Sequence, residues 1–294
     1  QHGIPDNSTF DFIIVGSGPS GSVIANRLSE NPDWNILLLE IGSEPSIITD
    51  YPFLAGSLQF TDYAWAFRSE KQDGYCLGCP GGKLWFAQGR ALGGASAINY
   101  MLYSRGNPSD YDKWADMGNL GWSYKDVLPY FLKSEDSGIT TEDADYHRKG
   151  GYLSVSDDLY RTESANVFVK AAQQAGYRYV DYNGKTQTGV SYVQTTSKNG
   201  FRCSAEKAFL RPIRHRRNLK ILTEARVVKI LIDPENKIAH GVEYVTGRKC
   251  KRAIASKEVI LCAGALNTPQ LLMLSGIGPK GHLEKLGRMD YKNK

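Results

Sequence analysis

A glycine-rich segment near the start of the chain constrains the fold more than any other feature. It reads Gly16, Ser17, Gly18, Pro19, Ser20, Gly21, with glycines spaced G-x-G-x-x-G. Residues 11–15 before it are mostly apolar and rich in branched side chains, as in a buried parallel strand. Apolar positions at helical spacing follow, and then a second apolar run at residues 35–40. The pattern predicts a strand–helix–strand unit.

The glycine spacing suits a pyrophosphate group. Gly16 permits the tight turn, Gly18 lets backbone amides approach the phosphates, and Gly21 lets the helix pack closely on the strand. The N-terminus of the helix adds free amides and a partial positive charge. Glu40 follows at about the 20-residue spacing expected of a ribose ligand, and its carboxylate would repel a 2′-phosphate. The turn predicts an adenine dinucleotide without a 2′-phosphate, and it does not choose between FAD and NAD. The alternative is a glycine-rich turn that binds no ligand.

Two later segments carry a resemblance to the glucose-methanol-choline (GMC) oxidoreductases. The first is GRALGGASAIN at residues 89–99, continuing through Tyr103, Gly106 and Asp112, and the second is GALNTPQLLMLSGIG at residues 264–278. The first departs from the family at Ala95, where a hydroxyl or glycine is usual. The aromatic-rich front half and the spacing at residues 122–131 look closest to the insect glucose-dehydrogenase-like branch. The chain resembles the N-terminal portion of such proteins.

The resemblance implies FAD rather than NAD as the cofactor. A flat isoalloxazine ring needs backbone amides at close range, which glycines permit. Ile98 stands where some family members attach the flavin through a histidine, so we expect non-covalent FAD. Besides the first turn and Glu40, the expected cofactor-binding residues are Arg90, Gly93, Gly94, Ser96, Asn99, Tyr100, Met101, Leu102, Val227, Ala263 and Gly264.

The expected fold class is α/β, with a Rossmann-like βαβ FAD-binding domain interleaved with part of an α+β, mixed-sheet substrate domain. The predicted FAD-binding domain covers residues 8–160, with an irregular flavin-contacting segment at 85–112, and returns at 216–287. Residues 161–215 are assigned to the substrate domain, and residues 288–294 form a polar tail outside the family pattern. Helices are expected near residues 123–133, capped by Ser123, and near residues 164–175, ended by Gly176. A strand is expected at 190–196 and irregular chain from 42 to 94.

The resemblance implies oxidation of a CH–OH group in an alcohol or sugar, with hydride transfer to flavin N5 and an unknown electron acceptor. In this family the proton goes to a histidine in a later C-terminal segment. None of the five histidines here has that context, so we expect no catalytic residue in this chain, a truncation before that segment, and little turnover. A catalytically silent FAD-binding variant and, less favoured, an NAD-dependent dehydrogenase remain as alternatives.

Charge, hydropathy and cysteine spacing narrow the remaining classes of partner and ligand. The net charge is only +5, which gives weak support for a nucleic-acid partner, and the basic run at residues 211–217 reads as a solvated helix end or, less favoured, a polyanion patch. No apolar run approaches the length of a membrane span. Cys76 and Cys79 have C-x-x-C spacing but no second ligand pair, so no metal site is predicted, and a local disulfide or two thiols are expected. Secretion is the expected localisation.

Overall fold

The computed structural model describes residues 3–140, 143–158 and 160–287. The chain divides into two compact units. The first consists of the chain up to Thr49, Phe53–Ile98, and the chain from Ala205 onward, and the second of Asp50–Pro52 and Asn99–Ser204. Residues 99–160, which sequence analysis assigned to the FAD-binding domain, therefore pack with residues 161–204. The predicted tail at residues 288–294 lies outside the described residues.

The described residues form thirteen strands and eight α-helices, together with five short 3₁₀ helices and one π-helix. The strands are β1 (Ser8–Val15), β2 (Ile36–Leu39), β3 (Ala64–Arg68), β4 (Trp85–Gly89), β5 (Glu135–Gly138), β6 (Leu153–Asp157), β7 (Gln194–Thr195), β8 (Ser197–Lys198), β9 (Phe201–Arg202), β10 (Leu219–Leu222), β11 (Ala225–Ile232), β12 (Ala239–Thr246) and β13 (Lys249–Leu261). The helices are α1 (Pro19–Leu28), α2 (Ile47–Asp50), α3 (Ala55–Leu58), α4 (Pro108–Asp116), α5 (Tyr124–Ser134), α6 (Glu163–Gln174), α7 (Gly264–Leu274) and α8 (Lys280–Lys285).

The first unit is built on a six-stranded sheet in the order β10-β2-β1-β13-β12-β11. The four strands β10, β2, β1 and β13 run parallel, whereas β12 and β11 join as antiparallel neighbours. The predicted strand–helix–strand unit is confirmed as β1, α1 and β2. The fold is thus mixed α/β with a sheet that is mainly parallel, as the sequence indicated.

Alternation along β1 and β2 places apolar side chains on both faces of this sheet. Ile13 and Leu37 belong to the cluster on one face, and Ile14 and Leu38 to the cluster on the other, where Ala25 of α1 also packs. All five side chains are fully buried. Burial on both faces explains why these strands read as continuous apolar runs in the sequence.

Two helix boundaries lie at the predicted residues. Ser123 caps α5 by accepting a hydrogen bond from the Asp126 amide and donating its hydroxyl to the Asp126 carboxylate at 2.6 Å. Gly176, at φ +96°, follows the end of α6 as expected for a helix stop. The predicted strand at residues 190–196 is wrong in extent, because only Gln194–Thr195 pairs as a strand.

The prediction of irregular chain from residue 42 to residue 94 is also wrong in part. β3 and β4 form an antiparallel hairpin in the first unit, with Trp65 opposite Gln88 and Phe67 opposite Phe86. The connection between them contains Cys76 and Cys79, whose sulfurs lie 2.7 Å apart as free thiols. The hydrogen bond with Cys79 raises the pKa of the Cys76 thiol.

The second unit has two small sheets, β5-β6-β7 and β8-β9, with α4, α5 and α6. A buried network of charged groups lies at its centre. Glu135 accepts from the Arg105 guanidinium at 2.7 Å and lies 2.9 Å from Nδ1 of His147, whose Nε2 lies 2.8 Å from Asp181. Burial lowers the pKa of His147, but its hydrogen bonds to Asp181 and Glu135 outweigh burial and raise the pKa to about 9.

Among the described residues no helix has both the length and the apolar character needed to cross a bilayer.

Candidate functional site: a cavity at the end of the parallel strands

A cavity of about 800 Å³ opens in the first unit where β1, β2 and β13 end. Ligands of open α/β sheets bind outside the carboxyl ends of the strands, and this cavity has that position. Of the predicted cofactor-binding residues, nine line it: Gly16, Gly18, Pro19, Ser20, Glu40, Gly94, Val227, Ala263 and Gly264. The sheet topology thus brings together residues separated by more than 200 positions along the sequence.

The first glycine turn shapes one end of this cavity. Gly16 has φ +98°, and a Cβ there would lie 2.4 Å from the carbonyl oxygen of Cys262 on the neighbouring strand end. Gly18, by contrast, faces open space, because a Cβ there would meet nothing within 4 Å. α1 then begins at Pro19 with no side chain capping its N-terminus and no acidic residue in its first turn. Backbone amides at this N-terminus are therefore available to an anion in the cavity.

Glu40 lies at the end of β2 with 5% of its surface exposed. Its Oε2 accepts from the Ser17 amide at 2.9 Å and from the Ser17 hydroxyl at 2.7 Å, and its Oε1 accepts from the Gly42 amide at 2.8 Å. Burial raises the pKa of Glu40, and these hydrogen bonds oppose part of that rise. The carboxylate is positioned by the turn that it supports.

The second glycine turn touches the first. The Gly93 amide donates to the Ser17 carbonyl at 3.0 Å, and a Cβ on Gly94 would lie 2.6 Å from the Gly18 Cα. Ser96 fixes this turn by donating to the Gly93 carbonyl at 2.5 Å and accepting from the Ala205 amide at 2.8 Å. The close approach of the two turns explains why position 94 carries no side chain.

The remaining predicted residues lie elsewhere. Gly21 packs beneath the turn, where a Cβ would lie 1.9 Å from the Gly16 carbonyl oxygen. Arg90 places its guanidinium 5.4 Å from the Trp65 ring.

Asn99–Leu102 belongs to the second unit. There Asn99 accepts from the Arg202 guanidinium at 2.7 Å and from the Met101 amide at 3.0 Å. Tyr100 and Leu102 are 60% and 62% exposed.

Sequence reasoning missed the contribution of the β3–β4 hairpin to the cavity. Trp65, Phe86 and Gln88 line it, and the Gln88 amide donates to the Ala263 carbonyl at 3.1 Å. Two short runs that each contain two aromatic residues, separated by a loop rich in glycine, were the available signal.

The basic run at residues 211–217 is largely engaged within the protein. Arg211 and Arg214 pair with the buried Glu206 at 2.8 and 3.0 Å, and Arg214 also pairs with Glu44 at 2.5 Å. Arg216 donates to the Asn26 carbonyl and the Ser29 hydroxyl near the end of α1. These pairings favour the interpretation of the run as a helix end within the fold over its interpretation as a polyanion patch.

No described histidine lines the cavity, and Cys262, which does, has its pKa raised by burial. Among the described residues, no group of three or more His, Cys, Asp or Glu side chains is placed to hold a metal ion.

Comparison with known proteins agrees with this geometry. Residues 10–289 match the GMC oxidoreductase family. The glucose dehydrogenase (FAD, quinone) of Drosophila pseudoobscura pseudoobscura is 41% identical over 279 residues, covering 94% of this chain and 45% of that protein. The oxygen-dependent choline dehydrogenase of Photobacterium profundum is 42% identical over 289 residues, covering 96% and 49%.

Solved structures extend the likeness to three dimensions. The pyridoxine 4-oxidase from Mesorbium loti superposes with a TM-score of 0.89 at 34% identity, over 96% of this chain and 54% of that one. This chain spans about half the length of the relatives it matches. With the family pattern matched along nearly all of its length, the chain belongs to the GMC oxidoreductase family.

Proposed function

We propose that this chain binds FAD non-covalently in the cavity of its first unit, as the cofactor-holding part of an enzyme that oxidises CH–OH groups. The observation that carries the proposal is the meeting of two glycine turns at the uncapped N-terminus of α1, beside the buried carboxylate of Glu40. The names of the similar glucose dehydrogenases, which include FAD, support it.

The cavity suits the pyrophosphate and adenosine parts of FAD. Its volume of about 800 Å³ lies within the range of small-molecule and cofactor sites. The turn from Gly16 to Gly21 would hold the pyrophosphate, because the dipole of α1 and the backbone amides of the turn favour negative charge, except the Ser17 amide, which is buried and donates to Glu40. Glu40 would accept from the ribose, and the backbone at Val227, on the same cavity wall, would meet the adenine.

The second glycine turn suits the flavin part. Gly94 keeps a side chain out of the space beside Gly18. Gly264, where a Cβ would lie 2.2 Å from the side-chain nitrogen of Gln88, lets Gln88 approach the end of β13. Arg90 and Ser96 are proposed by family resemblance to complete the flavin environment in this unit. Ile98 is buried and offers no nucleophile for a covalent bond to the cofactor.

When bound, FAD supplies a hydride acceptor at N5 for an alcohol or sugar. The residues of this chain bind and orient the cofactor, and Trp65, Phe86 and Leu266 offer it apolar contacts along the cavity. Among the described cavity residues Glu40 is the one carboxylate, and three donors already hold it. We therefore propose that this chain alone holds FAD but does not take a proton from an alcohol.

Flavin analysis of the purified chain tests the first part of the proposal. We expect yellow protein that releases FAD on heating, identified by mass and present at close to one equivalent. Release of NAD instead would establish the nicotinamide alternative, and a chain that neither retains nor takes up added FAD would contradict the proposal.

A second experiment tests the missing proton acceptor. The FAD-loaded chain would be assayed with glucose, choline and benzyl alcohol, using a dye as electron acceptor. We expect flavin that a chemical reductant bleaches but that none of the three alcohols reduces. Steady turnover with any of them would show that a base is present after all.

A further inference from the structure

The amide, the carbonyl and the hydroxyl of Ser17 all form hydrogen bonds within the first unit. Its amide and hydroxyl both donate to Oε2 of Glu40, and its carbonyl accepts from the Gly93 amide at 3.0 Å and the Ser22 hydroxyl at 2.7 Å. The residue is fully buried. It joins the first glycine turn, the end of β2 and the second glycine turn through hydrogen bonds alone.

These bonds divide the acceptor capacity of Glu40 unequally. A carboxylate offers about four acceptor positions, two on each oxygen. Ser17 fills both positions on Oε2, while Gly42 fills one on Oε1. The Ile41 amide also favours the charged carboxylate, but it makes no direct hydrogen bond to either oxygen among the described contacts. The remaining acceptor position therefore lies on Oε1.

We propose that Ser17 is a positioning residue for ribose recognition, because its hydroxyl fixes Oε2 of Glu40 and leaves Oε1 to accept from a ribose hydroxyl of FAD. The inference rests on the proposed function, since it assigns a role to the oxygen that would face the cofactor. Ser17 would then determine how well the site accepts an unmodified ribose without itself touching the ligand.

The surroundings of Glu40 make this role measurable through pH. Among the described residues, no cation forms an ion pair with Glu40 within 4.0 Å, and the groups that hold its charge are the donors of Ser17, Gly42 and Ile41. On the neighbouring segment, the charged residues Glu224 and Arg226 flank Ala225, whose amide donates to the Glu40 carbonyl at 2.9 Å. Removing the Ser17 hydroxyl takes away a donor that favours the ionised form, so the pKa of Glu40 rises further.

The test measures FAD affinity of the full chain by flavin fluorescence between pH 5 and pH 8.5, after removal and readdition of FAD. We expect Ser17→Ala to weaken binding about tenfold at pH 8 and by more at acid pH, with the midpoint of the pH profile moved to higher pH. Glu40→Gln in the Ser17→Ala background should abolish the pH dependence, which would assign it to Glu40.

Ser22→Ala is the matched control. It removes a buried hydroxyl that donates to the same Ser17 carbonyl but does not touch Glu40. We expect it to lower thermal stability while keeping the wild-type pH profile. Ser17→Cys retains a weaker donor and should give an intermediate midpoint if Ser17→Ala does not fold.

The outcomes separate the two proposals. Failure of the wild-type chain to bind FAD at any pH would overturn the proposed function and this inference with it. FAD binding with the same pH profile in wild type, Ser17→Ala and Ser17→Cys would overturn the role of Ser17 alone.

Discussion

The buried network of the second unit and the cavity of the first unit hold their polar groups in different ways. In the second unit, Arg105, Glu135, His147 and Asp181 satisfy one another and form a closed network of charges. In the first unit the cavity is lined by glycines, apolar side chains and strand ends, with one buried carboxylate held by backbone and hydroxyl donors. Charges that are fully paired inside the protein specify its packing, whereas an uncapped helix and open glycines leave donors for a ligand.

The largest loss of stability should come from a substitution that breaks the network of buried charges in the second unit. Glu135→Gln leaves the buried Arg105 and His147 without their shared carboxylate, so we expect the free energy of unfolding to fall by about 3–5 kcal/mol. Urea unfolding measures it. Glu70→Gln removes a carboxylate that is 92% exposed and should leave the unfolding curve unchanged. Equal effects of the two substitutions would contradict the account of the buried network.

The pH dependence of stability should report His147. Because folding raises its pKa from 6.5 to about 9, its contribution is fully present below pH 6.5 and is lost as the pH rises through 9. That contribution amounts to at most about 3 kcal/mol. Unfolding measured from pH 6 to pH 10 should show this loss in wild type and not in His147→Gln. A fall of the same size in both proteins would assign the loss to other groups.

The backbone geometry at Gly16 should decide whether the first unit retains FAD. Gly16→Ala places a methyl group 2.4 Å from the Cys262 carbonyl oxygen at φ +98°, so we expect FAD retention to be lost and stability to fall by about 2 kcal/mol. Gly247→Ala also has positive φ but meets no atom within 4 Å, so it should cost about 1 kcal/mol and retain FAD. Flavin content after gel filtration measures the difference, and unaltered flavin in Gly16→Ala would contradict the proposed site.

The smallest loss of stability should come from breaking the partly exposed ion pairs of the basic run at residues 211–217. Arg214 is 42% exposed and shares Glu206 with Arg211, so Arg214→Gln should reduce stability by less than about 1 kcal/mol. Thermal unfolding at low and high salt measures it. A loss as large as that of Glu135→Gln would show that exposure does not distinguish the two networks.

The first turn and its flanking strands could be predicted because their signals are local. Glycine spacing, a buried apolar run and the position of Glu40 all follow from residues close together in the sequence. Ser123 and Gly176 were likewise predicted as helix boundaries, since capping depends on neighbouring backbone groups. The hairpin of β3 and β4 was missed because its strands pair across a connection of 16 residues.

The sequence by itself determined the family, the βαβ unit and the preference of the first turn for a pyrophosphate. Only the tertiary structure decided that Ser17 connects Glu40 to the second glycine turn, that Trp65 and Phe86 line the cavity, and that His147 lies between two carboxylates. The physical reason is that glycine geometry and strand patterns act between near neighbours in sequence, whereas hydrogen-bond partners and cavity walls depend on which distant segments the sheet brings together.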